Sequence, residues 1–244
     1  MKRIVAIVFV LVLFGCSEDQ ELLNGTLEAA AEDLEVVRGN VIACAASDVM
    51  GQSTLVFLYP RPGATNIRYF ETASLDADKD DFSQYNEFLI NTEDVFNGYL
   101  KRIETSVEEG KWVIVSFEEE GMMHLCNPIR IKKDSKPTEY LPENVSIQDL
   151  DTLSPTFTWS DGSYDDTIIY FQVVNDARND LLSGTYTSER MFQYYNTENV
   201  ILNVTRDEPP ELTKDDFYGF TLMGVSEDNW VNLFAEIPFR LHMN

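Results

Sequence analysis

Few residues in this chain have the type and spacing to do chemistry. His124 and His242 are the only histidines, and His242 stands two residues from the last residue given. A Ser-His-Asp relay would have to use His124, which lies in a run of strand periodicity, and no Gly-x-Ser-x-Gly elbow accompanies it. Nor is there a His-Glu-x-x-His, a Cys-x-x-Cys or a phosphate-cradling glycine loop. Glycoside hydrolysis needs two carboxyl groups about 5–10 Å apart across a cleft. With 42 Asp and Glu in the chain, no spacing singles out such a pair. The expectation is a protein without catalytic machinery.

Three sets of residues could instead bind something. Asp76, Asp78, Asp80 and Glu87 occupy positions 1, 3, 5 and 12 of a calcium-loop template, a spacing that gathers hard oxygen ligands on one side of a turn. The template's glycine is replaced by Asp81, and DxDxD arises easily in an acidic chain, so a solvated turn is the competing reading. Trp230, in Asp228-Asn229-Trp230, together with Tyr194, Tyr195 and Tyr164, could stack on sugar rings if exposed. Alternatively Trp230 closes the bottom of a core. Cys44 and Cys126 fall in the first and last strands expected of one domain, as a disulfide or as two buried thiols.

The composition bounds what carries these residues. Hydrophobic residues at 44% and aromatics at 12% supply a packed core and exclude a disordered acidic tail. Only 18 Lys and Arg oppose the acids, a net charge of −24 with no basic stripe, which excludes nucleic acid as a partner. Such a surface also repels anionic membranes and polysaccharides unless divalent cations intervene.

The N-terminus reads as an address. Lys2 and Arg3 precede an apolar run from Ile4 to Phe14, too short for a ~30 Å hydrocarbon core but suited to an export signal. Leu13-Phe14-Gly15-Cys16 resembles a bacterial lipobox, which implies cleavage before Cys16 and its acylation. Two or more chains, at about 0.8 kcal/mol per buried CH₂, make such anchoring stable. Ser17-Glu18-Asp19 is similar to the acidic export tag of Bacteroidota surface lipoproteins, implying the outer membrane or cell surface. Residues 17–40 are acidic. Leu23, Leu27, Ala30, Leu34 and Val37 could form a short amphipathic helix, but a tether is the simpler reading.

From residue 41 the periodicity is that of strands. In the first half the runs are 41–46, 55–59, 67–72, 95–103, 112–117 and 124–132. In the second half they are 156–159, 168–174, 182–186, 192–195, 200–205, 218–225 and 233–241. Between them a polar segment with Pro137 and Pro142 reads as a linker. A weak repeat supports the division. Phe57-x-Tyr59 followed by Ile67-x-Tyr69-Phe70 has a counterpart in Phe157-x-Trp159 followed by Ile168-x-Tyr170-Phe171. The second half resembles fibronectin type III domains: Trp159 ends the second strand, and Leu212 and Tyr218 have the spacing of a tyrosine corner. The first half departs from that pattern, with Trp112 where the corner tyrosine would stand.

The expected architecture is therefore all-β, two tandem immunoglobulin-like or fibronectin type III-like sandwiches. Residues 1–15 form the signal peptide, 16–40 the acylated cysteine and tether, 41–135 the first sandwich, 136–142 the linker and 143–244 the second. The expected function is a lipid-anchored, non-catalytic binding or scaffolding module. Its layout is similar to that of the surface glycan-binding lipoproteins of polysaccharide-utilisation systems. The alternative partner is another envelope protein, and no cofactor is expected unless calcium binds the acidic turn.

Overall fold

The computed structural model describes residues 21–242; the expected signal peptide and Cys16 lie outside them. No helix of the described residues is long and apolar enough to cross a membrane. The first sandwich begins at Leu22, inside the segment read as a tether. Strand β1 (Leu22–Thr26) leads into the one-turn helix α1 (Leu27–Ala31). Thr26 caps that helix by accepting from the Ala29 N–H at 3.2 Å, and Leu27 is fully buried beneath it. Only the middle of the expected amphipathic helix is helical, because Val37 already belongs to the long strand β2 (Glu35–Ser47).

β2 organises the first sandwich. The strands that follow are β3 (Thr54–Tyr59), β4 (Thr65–Thr72), β5 (Tyr85–Phe88), β6 (Thr92–Val95), β7 (Leu100–Thr105), β8 (Trp112–Glu119), β9 (Met122–Cys126) and β10 (Ile129–Arg130). The first part of β2 runs parallel to β9, with Val41 opposite Cys126; from Ile42 it runs antiparallel to β3. It thus passes from one layer to the other. Gly39 permits the turn: its φ is +66°, and a Cβ there would lie 2.9 Å from the Asn127 carboxamide oxygen. The resulting layers, β2-β3-β7-β6 facing β9-β8-β4-β5 with β1 outermost, have the strand order of an immunoglobulin-like sandwich. Val56, Leu58, Tyr69, Ile103, Val115, Phe117 and Leu125 fill the space between them.

The second sandwich comprises β11 (Glu139–Tyr140), β12 (Val145–Gln148), β13 (Thr156–Trp159), β14 (Thr167–Asp176), β15 (Leu181–Thr187), β16 (Met191–Gln193), β17 (Val200–Asn203), β18 (Phe217–Ser226) and β19 (Val231–Arg240). A three-stranded sheet β12-β13-β16 faces a six-stranded sheet β11-β19-β18-β14-β15-β17. The core is aromatic. Phe157 stacks on Phe220 at 4.0 Å and meets Phe239 edge-on at 5.3 Å, while Trp159 meets Tyr170 edge-on. The tyrosine corner forms as the spacing implied. The Tyr218 hydroxyl accepts from the Thr213 N–H at 2.7 Å, beside buried Leu212.

The repeat lands on equivalent strands, β3 with β13 and β4 with β14, and Tyr69 and Tyr170 both enter their own cores. Phe57 and Tyr59, however, do not match Phe157 and Trp159. In β3 the core residues are Val56 and Leu58, a register offset of one that turns Phe57 and Tyr59 to the opposite face. That face meets the second sandwich.

A third core lies along this seam. Ala46, Phe57, Phe96 and Leu100 pack on Phe171, Val173, Met223 and Val225, so both sheets are buried on both sides where they meet. The segment read as a linker is part of the joint. Thr138 exchanges backbone-to-side-chain hydrogen bonds with Ser47 at 2.9 and 2.8 Å, and β11 pairs in parallel with β19. The turn from β18 to β19 reaches across the seam: Trp230 bridges to Ala45 and is completely buried in the first sandwich's core. Its indole N–H donates to the Lys136 carbonyl at 2.7 Å. Beside it the Arg130 N–H donates to the Asp228 carbonyl at 3.1 Å, and Lys132 pairs with the Asp228 carboxylate at 2.5 Å. At another point of the seam the Arg206 guanidinium lies over Tyr99 at 4.1 Å and Tyr59 at 5.4 Å.

Trp230→Ala removes a fully buried indole and should cost about 3–5 kcal/mol. Urea unfolding followed by circular dichroism should show one transition for the native chain. The variant should show a lowered first midpoint and two separated transitions. An unchanged single transition would mean that the insertion contributes nothing to holding the sandwiches together.

Candidate functional site at the seam

The structure disperses the residues expected to bind a ligand. Trp230 is not at an exposed loop tip; the hairpin that carries it is docked, so its ring is core. Tyr194 is buried at 2% exposure and donates its hydroxyl to the Pro210 carbonyl at 2.6 Å. Tyr195 packs edge-on against Phe192, and its hydroxyl accepts from the Asn203 carboxamide at 2.8 Å. Tyr164 is half-buried, with the Lys136 ammonium 4.8 Å from its ring centre. These four rings form no shared platform.

The acidic turn is built by its own hydrogen bonds. The Asp78 carboxylate accepts from the Asp80 N–H at 3.0 Å, and the Asp76 N–H donates to the Ser74 hydroxyl at 3.2 Å. Glu87 lies on β5 and pairs with Arg68 at 3.3 Å. Asp76, Asp78, Asp80 and Glu87 therefore do not converge, and among the described residues no group of three or more His, Cys, Asp or Glu side chains could hold a metal ion.

Cys44 and Cys126 are free thiols. Strand parity explains why. Val41, Ala43 and Ala45 face the first core and Ile42, Cys44 and Ala46 face the seam, whereas Cys126 belongs to the first core. Cys44 points out of its layer toward the seam, and Cys126, in the facing layer, points into the first core. His124, buried beside Phe117, has its Nδ1 2.9 Å from the Asn40 amide nitrogen and its Nε2 3.8 Å from Glu119. It forms no relay with a serine.

What the seam does assemble is an open cleft of about 570 Å³. Trp112, at the start of β8, forms one wall, and its backbone N–H donates to the Thr72 hydroxyl at 2.9 Å. Asn127 and Pro128 come from the β9–β10 turn, Glu227 and Asn229 from the docked β18–β19 turn, Asp166 and Ile168 from the start of β14, and Lys79 and Asp80 from the acidic turn. Trp112 is partly buried against the first core, with the Lys79 ammonium 5.9 Å from its ring centre. Two of the cleft acids are neutralised: Asp228 by Lys132, and Asp166 by Lys136 with a further bond from the Asn232 carboxamide at 2.8 Å. The hydrogen bond from Lys136 holds Asp166 below the usual carboxylate range, the reverse of what a general acid requires. Asp80 and Glu227 have no ion-pair partner among the described residues. A flat ring, two carboxamides and free carboxylates are groups that hold a polyhydroxylated ligand by stacking and hydrogen bonding.

Sequence reasoning passed over Trp112 because it was read as a replacement for a corner tyrosine. The available signal was the polar turn Glu108-Glu109-Gly110-Lys111 immediately before it, which places the ring at the start of a strand. A narrower apolar groove of about 270 Å³ continues along the seam, lined by Ile42, Cys44, Phe171, Tyr186 and Leu202.

Compared with known proteins, the chain matches no family model and no curated protein. Among solved structures it is similar to the chicken CNTN1 FN1–FN3 domains, at 12% identity and a TM-score of 0.33, covering 86% of this chain and 68% of that one. A cytokine receptor complex matches at 10% identity and a TM-score of 0.27, covering 84% and 98%. The glycoside hydrolase domain of Endo-D from Streptococcus pneumoniae matches at 12% identity and a TM-score of 0.29, covering 82% of this chain but 33% of that one. By its own strand order and tyrosine corner, the chain is an all-β protein of two sandwiches, immunoglobulin-like and then fibronectin type III-like.

Burial pushes the thiols of Cys44 and Cys126 up to about 12, Cys44 being raised further by its neighbour Cys126. A raised thiol pKa keeps the unreactive neutral form far above neutrality. At pH 8 the native chain should therefore resist a thiol reagent that labels free cysteine, and both thiols should label once it is denatured without reductant. Thiols still missing after denaturation would mean that the pair is bridged.

Proposed function

We propose that the chain is a lipid-anchored, non-catalytic binding module of the outer membrane or cell surface that takes a glycan in the seam cleft. The observation that supports this best is Trp112, whose partly buried side chain packs on the first core and lines a polar cleft among Asn127, Asn229, Asp80 and Glu227. Stacking on one sugar face, with carboxamide and carboxylate groups bonding the hydroxyls, needs no reaction and no cofactor. The lowered Asp166 and the Lys132-bound Asp228 supply fixed acceptors rather than a proton donor. The repulsion expected of so acidic a surface leaves neutral polysaccharides as the favoured class.

The membrane part of the proposal rests on the sequence around Cys16. Cys16→Ser should move the protein from the detergent phase to the aqueous phase in a phase-partition experiment, since acyl chains would be its anchor. Equal partitioning of the two would overturn anchoring through that residue. For the ligand, isothermal titration of the native chain against a panel of neutral glycans should give saturable heat for at least one. Trp112→Ala should weaken that binding at least tenfold in a variant that keeps the circular-dichroism spectrum of the folded chain, with some loss of unfolding midpoint because the ring also packs on the first core. Flat titrations throughout would overturn the glycan reading, and release of reducing ends during titration would overturn the non-catalytic one.

A further inference from the structure

The groove beside the seam cleft is a second compartment of the same recess. After Val41, opposite Cys126, β2 leaves β9, and its free side is next paired at Ala45, whose N–H donates to the Asn229 carbonyl at 3.0 Å. The groove of about 270 Å³ opens beside this stretch. Parity makes its walls apolar. Ile42 and Cys44 point to the seam from β2, and Phe171, Tyr186 and Leu202, paired across β14, β15 and β17, share the facing side. Phe171 stacks on Tyr186 at 4.5 Å, and Leu202 stands at the rim, 42% exposed.

Asn127 and Asn229 line both this groove and the cleft that holds Trp112, and β14 borders both, with Ile168 on the cleft and Ile169 on the groove. One ligand can therefore reach from one compartment into the other. We propose that the seam recess takes a neutral glycan bearing an aliphatic chain, its sugar in the cleft and its chain in the groove against Tyr186 and Leu202. This rests on the reading of the cleft as a sugar site and adds to it the class of glycan. A ring, carboxamides and carboxylates hold a sugar, whereas an uncharged apolar wall gains only by taking apolar surface out of water.

The chemistry of the mouth selects the head that goes with the chain. No charged side chain lines the groove. A fatty acid or a phospholipid would bring its carboxylate or phosphate to the Asn127 and Asn229 carboxamides, with the cleft beyond them. There Lys79, the one cation in the lining, is outnumbered by Asp80, Asp166, Glu227 and Asp228. An anionic head would lose its water without gaining a counter-charge. A sugar at the same place bonds its hydroxyls to the carboxamides and lays a face on Trp112, while its chain covers Leu202.

The test uses the mature full-length chain with methyl and octyl glycosides of maltose, lactose and cellobiose, each below its micellar concentration. For at least one sugar the octyl glycoside should bind at least tenfold tighter than the methyl one, since each buried CH₂ is worth about fourfold. Leu202→Glu should erase that difference while leaving methyl glycoside binding and the circular-dichroism spectrum unchanged, and Trp112→Ala should weaken both glycosides. Octanoate and octylamine should bind at least tenfold more weakly than the best octyl glycoside. A diazirine at the end of the octyl chain should label residues 42–44, Tyr186 or Leu202. Octyl glycosides no tighter than methyl ones, with Trp112 still required, would overturn the proposal and leave the cleft reading intact. Octyl binding lost in Leu202→Glu but indifferent to Trp112→Ala would sink the sugar cleft and this proposal with it. Octylamine or octanoate binding as tightly as the glycosides, labelling confined to other residues, or no binding by any octyl glycoside would overturn it as well.

Discussion

The burial of Trp230 in a core to which it does not belong by sequence is the contact on which the rest of the molecule depends. A tryptophan on a turn between two strands of one sandwich fills space in the other, and its N–H finds the Lys136 carbonyl in the connecting segment. One side chain thus ties three pieces together: the second sandwich's hairpin, the first sandwich's core and the strap between them. Removing so large a ring would open a cavity and leave a carbonyl without its donor, and both penalties fall at the joint. The seam core of Phe57, Phe171, Met223 and Val225 then has a fixed geometry in which to pack.

The cleft is a consequence of that docking. Glu227, Asp228 and Asn229 are held against the first sandwich because the next residue is Trp230. Asp228 is further fixed by Lys132 and by the Ser226 hydroxyl at 2.7 Å. Opposite them, Trp112 is placed by the start of β8. Neither wall would face the other in an extended tandem of freely jointed domains, so the site belongs to the pair and to neither sandwich alone. Relative motion is the ordinary condition for two domains unless their interface is large and apolar. Here the shared core and the Arg206 clamp supply that condition.

Much of the fold was legible in the sequence because alternation and turn residues are local signals. The tyrosine corner could be read from Leu212 and Tyr218, and the repeat pointed to corresponding strands, since both depend on short spacings. What was not legible was which face each alternating residue serves. Phe57-x-Tyr59 and Phe157-x-Trp159 look equivalent, yet one pair faces a neighbour and the other its own core. A period of two defines two faces without naming them. The same ambiguity left the Cys44–Cys126 pairing open until strand parity separated the sulfurs. It also left Trp230 open between an exposed ring and a core one, because a turn between strands is normally solvated, and a long-range docking contact decides for a core, that of the other sandwich. The spacing offered a helical face that included Leu27, which is indeed buried, but the Thr26 cap and the shortness of α1 were not legible among acidic neighbours.

Rigidity bears directly on what a seam site can bind. A ligand held between two mobile domains must offset the entropy of ordering them, whereas one entering a preformed cleft loses mainly its own freedom. The Trp112 ring, packed on the first core, and the fixed acceptors Asp166 and Asp228 are positioned before a ligand arrives. Asp80 and Glu227 form no ion pair among the described residues, while Lys132 is engaged with Asp228 and Lys136 with Asp166. Docking therefore does two things at once. It assembles the walls of the site, and it decides which of the many acids in this chain are left with hydrogen-bonding capacity to spare.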